Sequence, residues 1–223
     1  MSRASAVDVV RNPERFFSGP LTLARAVPPL LVAVGVAMAL SVAYRPYFAE
    51  AVAAMLPVDA DPARFETIYS QAFRFGLMGS VLVPLAYTGI TAIVAFLCLA
   101  AVAERDVPRV EALTACVAWA ALLLTLKDLA RYAVMQARGI EAVRSALDLR
   151  PGVGLGFLVS DQASIAYEML DTMNAFDLGY VAVLGFAISR AARVPAVHAL
   201  VAAVLPWALL HAVRIGFGVL IPR

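Results

Sequence analysis

The sequence predicts an all-α polytopic membrane protein, a bundle of about five transmembrane helices behind an N-terminal interfacial segment. Three observations carry that expectation. Of the 223 residues, 62% are hydrophobic and only 15% charged, with a mean hydropathy of +0.83, whereas a soluble domain is usually about 45–50% apolar. One small globule cannot hide that excess in its core, so lipid is the natural solvent for much of it. The apolar residues also come in long uncharged runs, and a helix needs about 20 of them to cross the hydrocarbon core. Two of the turns between runs, "ERDVPRVE" and "RAARVP", are short and carry arginine and proline.

Residues 1–25 read as a cytoplasmic or interfacial leader. Within "VDVVRNPERFFSGPLTLAR", Val9, Val10, Phe16 and Phe17 alternate with Arg11, Glu14 and Arg15. Two readings stand side by side: a segment lying in the interface with its aromatics in lipid, or an ordinary solvated leader. The segment is a poor signal peptide. Asp8 and Glu14 precede the first apolar run, and that run exceeds the usual h-region of about 7–15 residues. It is expected to be a retained helix.

Residues 26–223 are expected to form a single transmembrane domain with spans near 26–44, 76–103, 110–131, 171–189 and 194–214. Ala26–Tyr44 is uncharged. Phe75–Ala103 is uncharged throughout and long enough to cross with tilt. Ala112–Leu126 is short and must borrow neighbours. Leu178–Ser189 is shorter still. Extending it back to Asp171 restores the length, but draws Asn174 and Asp177 towards the membrane. Val194–Val213 completes the set, with His198 and His211 as its titratable groups.

The first long connection is expected to break into short pieces at Pro57 and Pro62. The second, Tyr132–Leu170, contains "PGVGLGF". Its glycines lack the spacing and the preceding strand of a dinucleotide-binding turn, so the stretch reads as a flexible turn. "RVEALTACVAWAALLL" and "AVHALVAAVLPWALL" each place a tryptophan midway along a span. Two hairpins of similar plan would produce this, and so would chance in an alanine-rich chain.

Several function classes are disfavoured. Net charge is +2 with scattered arginines, and no basic stripe interleaves with aromatics, so a nucleic-acid partner is not expected. Cys98 and Cys116 make no CxxC and read as small buried apolar residues. His198 and His211 share no helix face, and no Cys/His cluster completes a metal site. No nucleophile–base pair or phosphate loop is visible. No catalytic residue, metal or cofactor is therefore expected. The expected partners are the lipid bilayer and another membrane protein or a second copy.

Orientation follows from arginines in short loops. Placing the N-terminus in the cytoplasm puts Arg3, Arg11, Arg15, Arg25, Arg105, Arg109, Arg190 and Arg193 inside. The C-terminus then lies outside. On this topology Lys127, Asp128, Arg131, Asp171, Asp177 and Arg214 should arrive at one leaflet, a candidate polar membrane cluster. Lys127 is the only lysine in the chain. A helix ending near Arg131 lets Lys127 and Arg131 snorkel to the headgroups. The other reading is a polar pocket between spans three, four and five. Asp128 favours that pocket, because an aspartate cannot snorkel as lysine can. Asp128 is expected to meet either Arg214 or its own Arg131.

The stretch "NAFDLGYVAVLGFAISRAARV" carries a resemblance. Asn174 and Phe176 head span four, Leu184–Gly185 follows within it, and Ser189–Arg190 begins the turn. With "NPERFFSGPLTLARAVPPLL" before span one, the chain resembles the bacterial branch of the Yip1 family. It departs from the family in reading "DLGY" where members often carry a tryptophan. The resemblance implies a five-span membrane protein with no catalytic residues to carry over. It implies a role in partner binding, membrane organisation or transport, in a bacterial inner membrane. The functional expectation is a non-enzymatic scaffold or accessory subunit; the alternative is a small transporter or channel. A third reading, an intramembrane enzyme with Asp171 and Asp177 as paired acids, is weak, because residues six apart on a helix point away from each other.

Overall fold

The structure, a computed structural model, describes residues 6–57, 61–102, 108–149, 151–161 and 164–220. Every regular element among them is helical: α1 (Ala6–Arg11), α2 (Pro13–Ser18), α3 (Val27–Ala43), α4 (Arg45–Met55), α5 (Pro62–Val102), α6 (Val110–Ala120), α7 (Leu122–Arg138), α8 (Ile165–Asp171), α9 (Ala175–Ala192) and α10 (Ala196–Leu220), with short 3₁₀ turns between. Among the described residues, five helical stretches are long and apolar enough to cross a membrane: Leu23–Ala43, Pro62–Val102, Val110–Arg138, Ala175–Ala192 and Ala196–Val213. Their outward positions are apolar, with Leu31, Val83, Leu97 and Val197 all more than half exposed. In water such a surface would aggregate; in lipid it is the expected exterior.

Three helix ends fall away from the expected span limits, each for a local reason. The helix that carries the second span begins at Pro62, ahead of the residue 76 expected for the span itself; Pro62 sits in the first turn of α5, where its missing N–H costs nothing. The third span continues to Arg138 and stops at Gly139, whose φ of +80° ends the helix in a conformation glycine adopts freely. The fourth span does not reach back to Asp171. α8 ends there, residues 172–174 turn, and α9 starts at Ala175. The Asn174 side-chain amide donates to the Asp171 carbonyl at 2.6 Å, occupying a backbone acceptor that a continuous helix would have used.

The chain divides into two compact units. One comprises Met1–Ala33, Leu85–Leu124 and Ala175–Pro222; the other comprises Val34–Pro84 and Thr125–Asn174.

In the first unit α9 packs against α10, α6 and α2. Within the leader Val10, Arg11, Glu14 and Arg15 are exposed, but the two phenylalanines turn into the protein. Phe16 and Phe17 are 3% and 2% exposed, in a core with Leu99, Leu113, Tyr180 and Leu184. Asn12 caps α2 by accepting from the Arg15 N–H, and Pro13 opens the helix. That fixes the turn that aims both rings inward. Phe16 meets Trp119 edge-on at 5.5 Å. Glu14 pairs with Arg190 at 3.2 Å, and the Trp119 indole donates to the Arg25 carbonyl. Trp207 instead leans on His211, with ring centroids 4.7 Å apart, so the two tryptophans do not occupy equivalent settings.

In the second unit α4 packs on the 3₁₀ turns that follow α7, around Tyr47, Ala51, Met135 and Val143. Arg45 donates to the Tyr69 hydroxyl at 2.6 Å and lies over the Phe73 ring.

Candidate functional site

One side-chain cation and two backbone N–H groups of the second unit converge on one carboxylate. Asp171, at the end of α8, is 4% exposed. Its Oδ2 accepts from the Arg131 guanidinium at 2.5 Å. Its Oδ1 accepts from the backbone N–H groups of Val153 and Gly154 at 2.9 and 3.1 Å. A buried carboxylate is tolerable only when paired and hydrogen-bonded, and here one guanidinium and two backbone donors do both. The Arg131–Asp171 pair thus ties α7 to α8, and the two N–H groups tie "PGVGLGF" to the same point.

That stretch is no flexible turn. A Cβ on Gly154 would meet the Asp171 carbonyl oxygen at 2.5 Å, and one on Gly152 would meet the Tyr167 hydroxyl at 2.5 Å. One on Gly156 would stand 3.1 Å from the Tyr167 ring. Glycine at every second position lets the backbone lie directly against α8. This alternation was visible in the sequence; only its packing partner was not. Burial pushes the Tyr167 phenol pKa up, and the neighbouring Asp171 carboxylate adds to the rise, against a hydrogen bond from Gly152.

The "LTLKDLARY" residues behave in the reverse of the snorkelling expectation. Lys127 is 7% exposed, and the Arg131 side chain 13%, while the Asp128 side chain is 57% exposed. The two long cations turn inward and the short carboxylate turns outward, because α7 runs on past Arg131 and its inward face is the one that meets Asp171. Asp128 lies 3.9 Å from its own Arg131. The Arg214 side chain lies outside the described part of the structure.

Asp128 and Arg131 also line a groove of about 420 Å³ in the second unit, between residues 37–48 of α3 and α4 and residues 73–84 of α5. Ser41, Tyr44 and Ser80 add polar atoms, and Gly76 and Gly79 form part of its wall. Nothing in the sequence pattern announced this groove.

Asp177 and Arg214 belong to the first unit, whereas Lys127, Asp128, Arg131 and Asp171 belong to the second. Asp177 is fully buried, with the His211 ring nitrogen Nε2 at 3.9 Å. Of the family-like positions, Asn174 is buried in the turn before α9 and Phe176 is half-buried. A Cβ on Gly185 of α9 would stand 3.5 Å from the Leu200 backbone on α10, an ordinary contact, and Arg190 binds Glu14. Both cysteines are free, Cys116 buried and Cys98 partly so. Among the described residues no three His, Cys, Asp or Glu side chains group as a metal site would require. No family description, curated protein or solved structure matches the chain.

Proposed function

We propose that this chain is a non-enzymatic membrane scaffold or accessory subunit, of the Yip1-like kind its sequence resembles, acting in membrane organisation or transport. One observation carries the reading. The segment after α7 is tied down at Asp171, yet it turns apolar side chains outward. α8 buries Tyr167 and Asp171 on one face and leaves Ile165 and Met169 about half exposed on the other. Met173 and Leu158 are exposed as well, Leu158 at 65%. A short helix that buries its carboxylate and presents its apolar side is suited to being covered by an apolar partner, which we take to be another membrane protein or a second copy. The Arg131–Asp171 pair supports the same reading, since both groups are engaged in holding the fold.

Affinity purification from native membranes in mild detergent should recover a reproducible partner, and Met169→Glu should lower that recovery without changing helical content. A lone chain in both preparations would sink the proposal. The runner-up, a small transporter or channel, draws on the groove beside Asp128; unchanged flux in proteoliposomes for both Asp128→Asn and Asp177→Asn retires it. The proposed setting is a bacterial inner membrane with a cytoplasmic N-terminus and an external C-terminus, from the arginines of the short loops. A C-terminal reporter fusion should be active outside, and cytoplasmic activity would reverse the orientation.

A further inference from the structure

The groove of the second unit runs between two helix faces. Ala37, Leu40, Ser41 and Tyr44 line it from α3 and the residue that follows, at the three- and four-residue spacing of one face. Phe73, Gly76, Ser80 and Val83 line it from α5 at the same spacing. Contacts around Tyr69 set the direction. Arg45 donates to the Tyr69 hydroxyl, and the Phe48 and Tyr69 ring centroids are 5.9 Å apart, so the start of α4 stands level with Tyr69. α3 runs towards that level and α5 runs away from it. Ala37 and Leu40 therefore share one end of the groove with Val83 and Pro84. The other end holds Tyr44, whose ring meets that of Tyr132 at 5.2 Å, together with Asp128 and Arg131.

The apolar end lies within stretches able to cross a membrane, and Tyr44 stands just past one of them, Leu23–Ala43. From Phe73 to Pro84 the wall is about 16 Å long at the helical rise. That is close to half of the roughly 30 Å hydrocarbon core, the depth of one leaflet. Gly76 and Gly79 keep the wall open, since a Cβ on either would meet nothing within 4 Å. Met38, Val42, Met78 and Leu82, beside the lining residues in sequence, are exposed, so the groove is continuous with the apolar exterior.

We infer that this groove seats one acyl chain of a bilayer phospholipid, and that it recognises the chain and not the headgroup. The chain runs along Gly76 and Gly79 with its methyl end at Leu40 and Val83. Without it the walls would lose dispersion contacts across the gap. The charges at the other end are engaged within the protein: Arg131 lies 3.9 Å from Asp128 and is bonded to Asp171. Charges already paired add little to binding a further ion, so headgroups of different charge are equivalent here. The inference is independent of the scaffold reading, because the groove residues are not those of the outward face of α8.

The experiment is native mass spectrometry of the full chain, purified in detergent and supplied with dipalmitoyl phosphatidylglycerol and dipalmitoyl phosphatidylcholine in equal amounts. One lipid should be retained, with neither headgroup preferred, and the dioctanoyl forms should be retained several-fold less. Gly79→Leu should abolish retention. Gly89→Leu is the control, because a Cβ there also meets nothing within 4 Å and Gly89 does not line the groove; it should retain the lipid. A phosphatidylcholine carrying a diazirine at the chain end tests the site without any variant, and its adducts on the native chain should fall at residues 37–40 and 83–84. A several-fold headgroup preference, equal retention of dioctanoyl lipid, undiminished retention in Gly79→Leu, or adducts absent from those residues would each overturn the inference. So would a dimer that Gly79→Leu dissolves, which would give the groove to a second copy.

Discussion

Asp171→Asn should destabilise the second unit by about 3–5 kcal/mol, the usual cost of removing one partner from a buried ion pair. Asparagine keeps an oxygen for the Val153 and Gly154 N–H groups, so the loss isolates the charge. What remains is the Arg131 guanidinium, nearly buried, without the carboxylate that compensates it. Thermal unfolding in detergent measures the effect, and limited proteolysis should show new cleavage in residues 139–174. The double variant Arg131→Gln/Asp171→Asn should be less impaired than the two single losses sum to, with a coupling of about 0.5–3 kcal/mol for groups in direct contact. Gly154→Ala attacks the same clamp from the other side. Its new methyl would fall 2.5 Å from the Asp171 carbonyl oxygen, and overpacking of this kind costs about 1–3 kcal/mol. Gly35→Ala serves as the control, since a Cβ there meets nothing within 4 Å and alanine favours the helix by roughly 0.5–1 kcal/mol. Strictly additive charge variants, with Gly154→Ala as stable as Gly35→Ala, would show that the clamp does not hold the segment.

Phe17→Ala should cost about 3–5 kcal/mol, as for any large aromatic emptied from a packed core. Phe17 is 2% exposed and meets Phe16 and Phe186 edge-on. A leader lying loosely on the membrane would tolerate the change almost freely. Val10→Ala, at a position 86% exposed, should stay within about 0.5 kcal/mol. The protein supplies its own probe: Cys116 is fully buried, so with the partly exposed Cys98 replaced by serine, labelling by a thiol-reactive dye on heating reports the opening of the first unit. Equal labelling temperatures for Phe17→Ala and Val10→Ala would return the leader to the surface.

Hydrophobicity alone determined the class of this protein. Five apolar stretches and their approximate positions follow from local rules, because bilayer thickness sets the length; the start of α5 at Pro62 and the end of α7 before Gly139 were not read from it, although proline and glycine explain both once the helices are seen. The direction of a side chain is a different matter, because it depends on what stands opposite. "LTLKDLARY" left snorkelling cations and a polar pocket both open, since nothing in those nine residues reveals that α7 continues and that Asp171, 40 residues on from Arg131, waits on its inner face. Phe16 and Phe17 read as surface aromatics for the same reason: the core they fill is made by residues 92–120 and 180–203. The alternating glycines of "PGVGLGF" came closest to announcing a tertiary fact. Glycine at every second position signals that something approaches the backbone, but only the folded chain identifies it as α8. Local sequence sets where helices can exist and cross a bilayer; long-range packing decides which charges are buried, because a charge is affordable inside only where the fold has brought its partner.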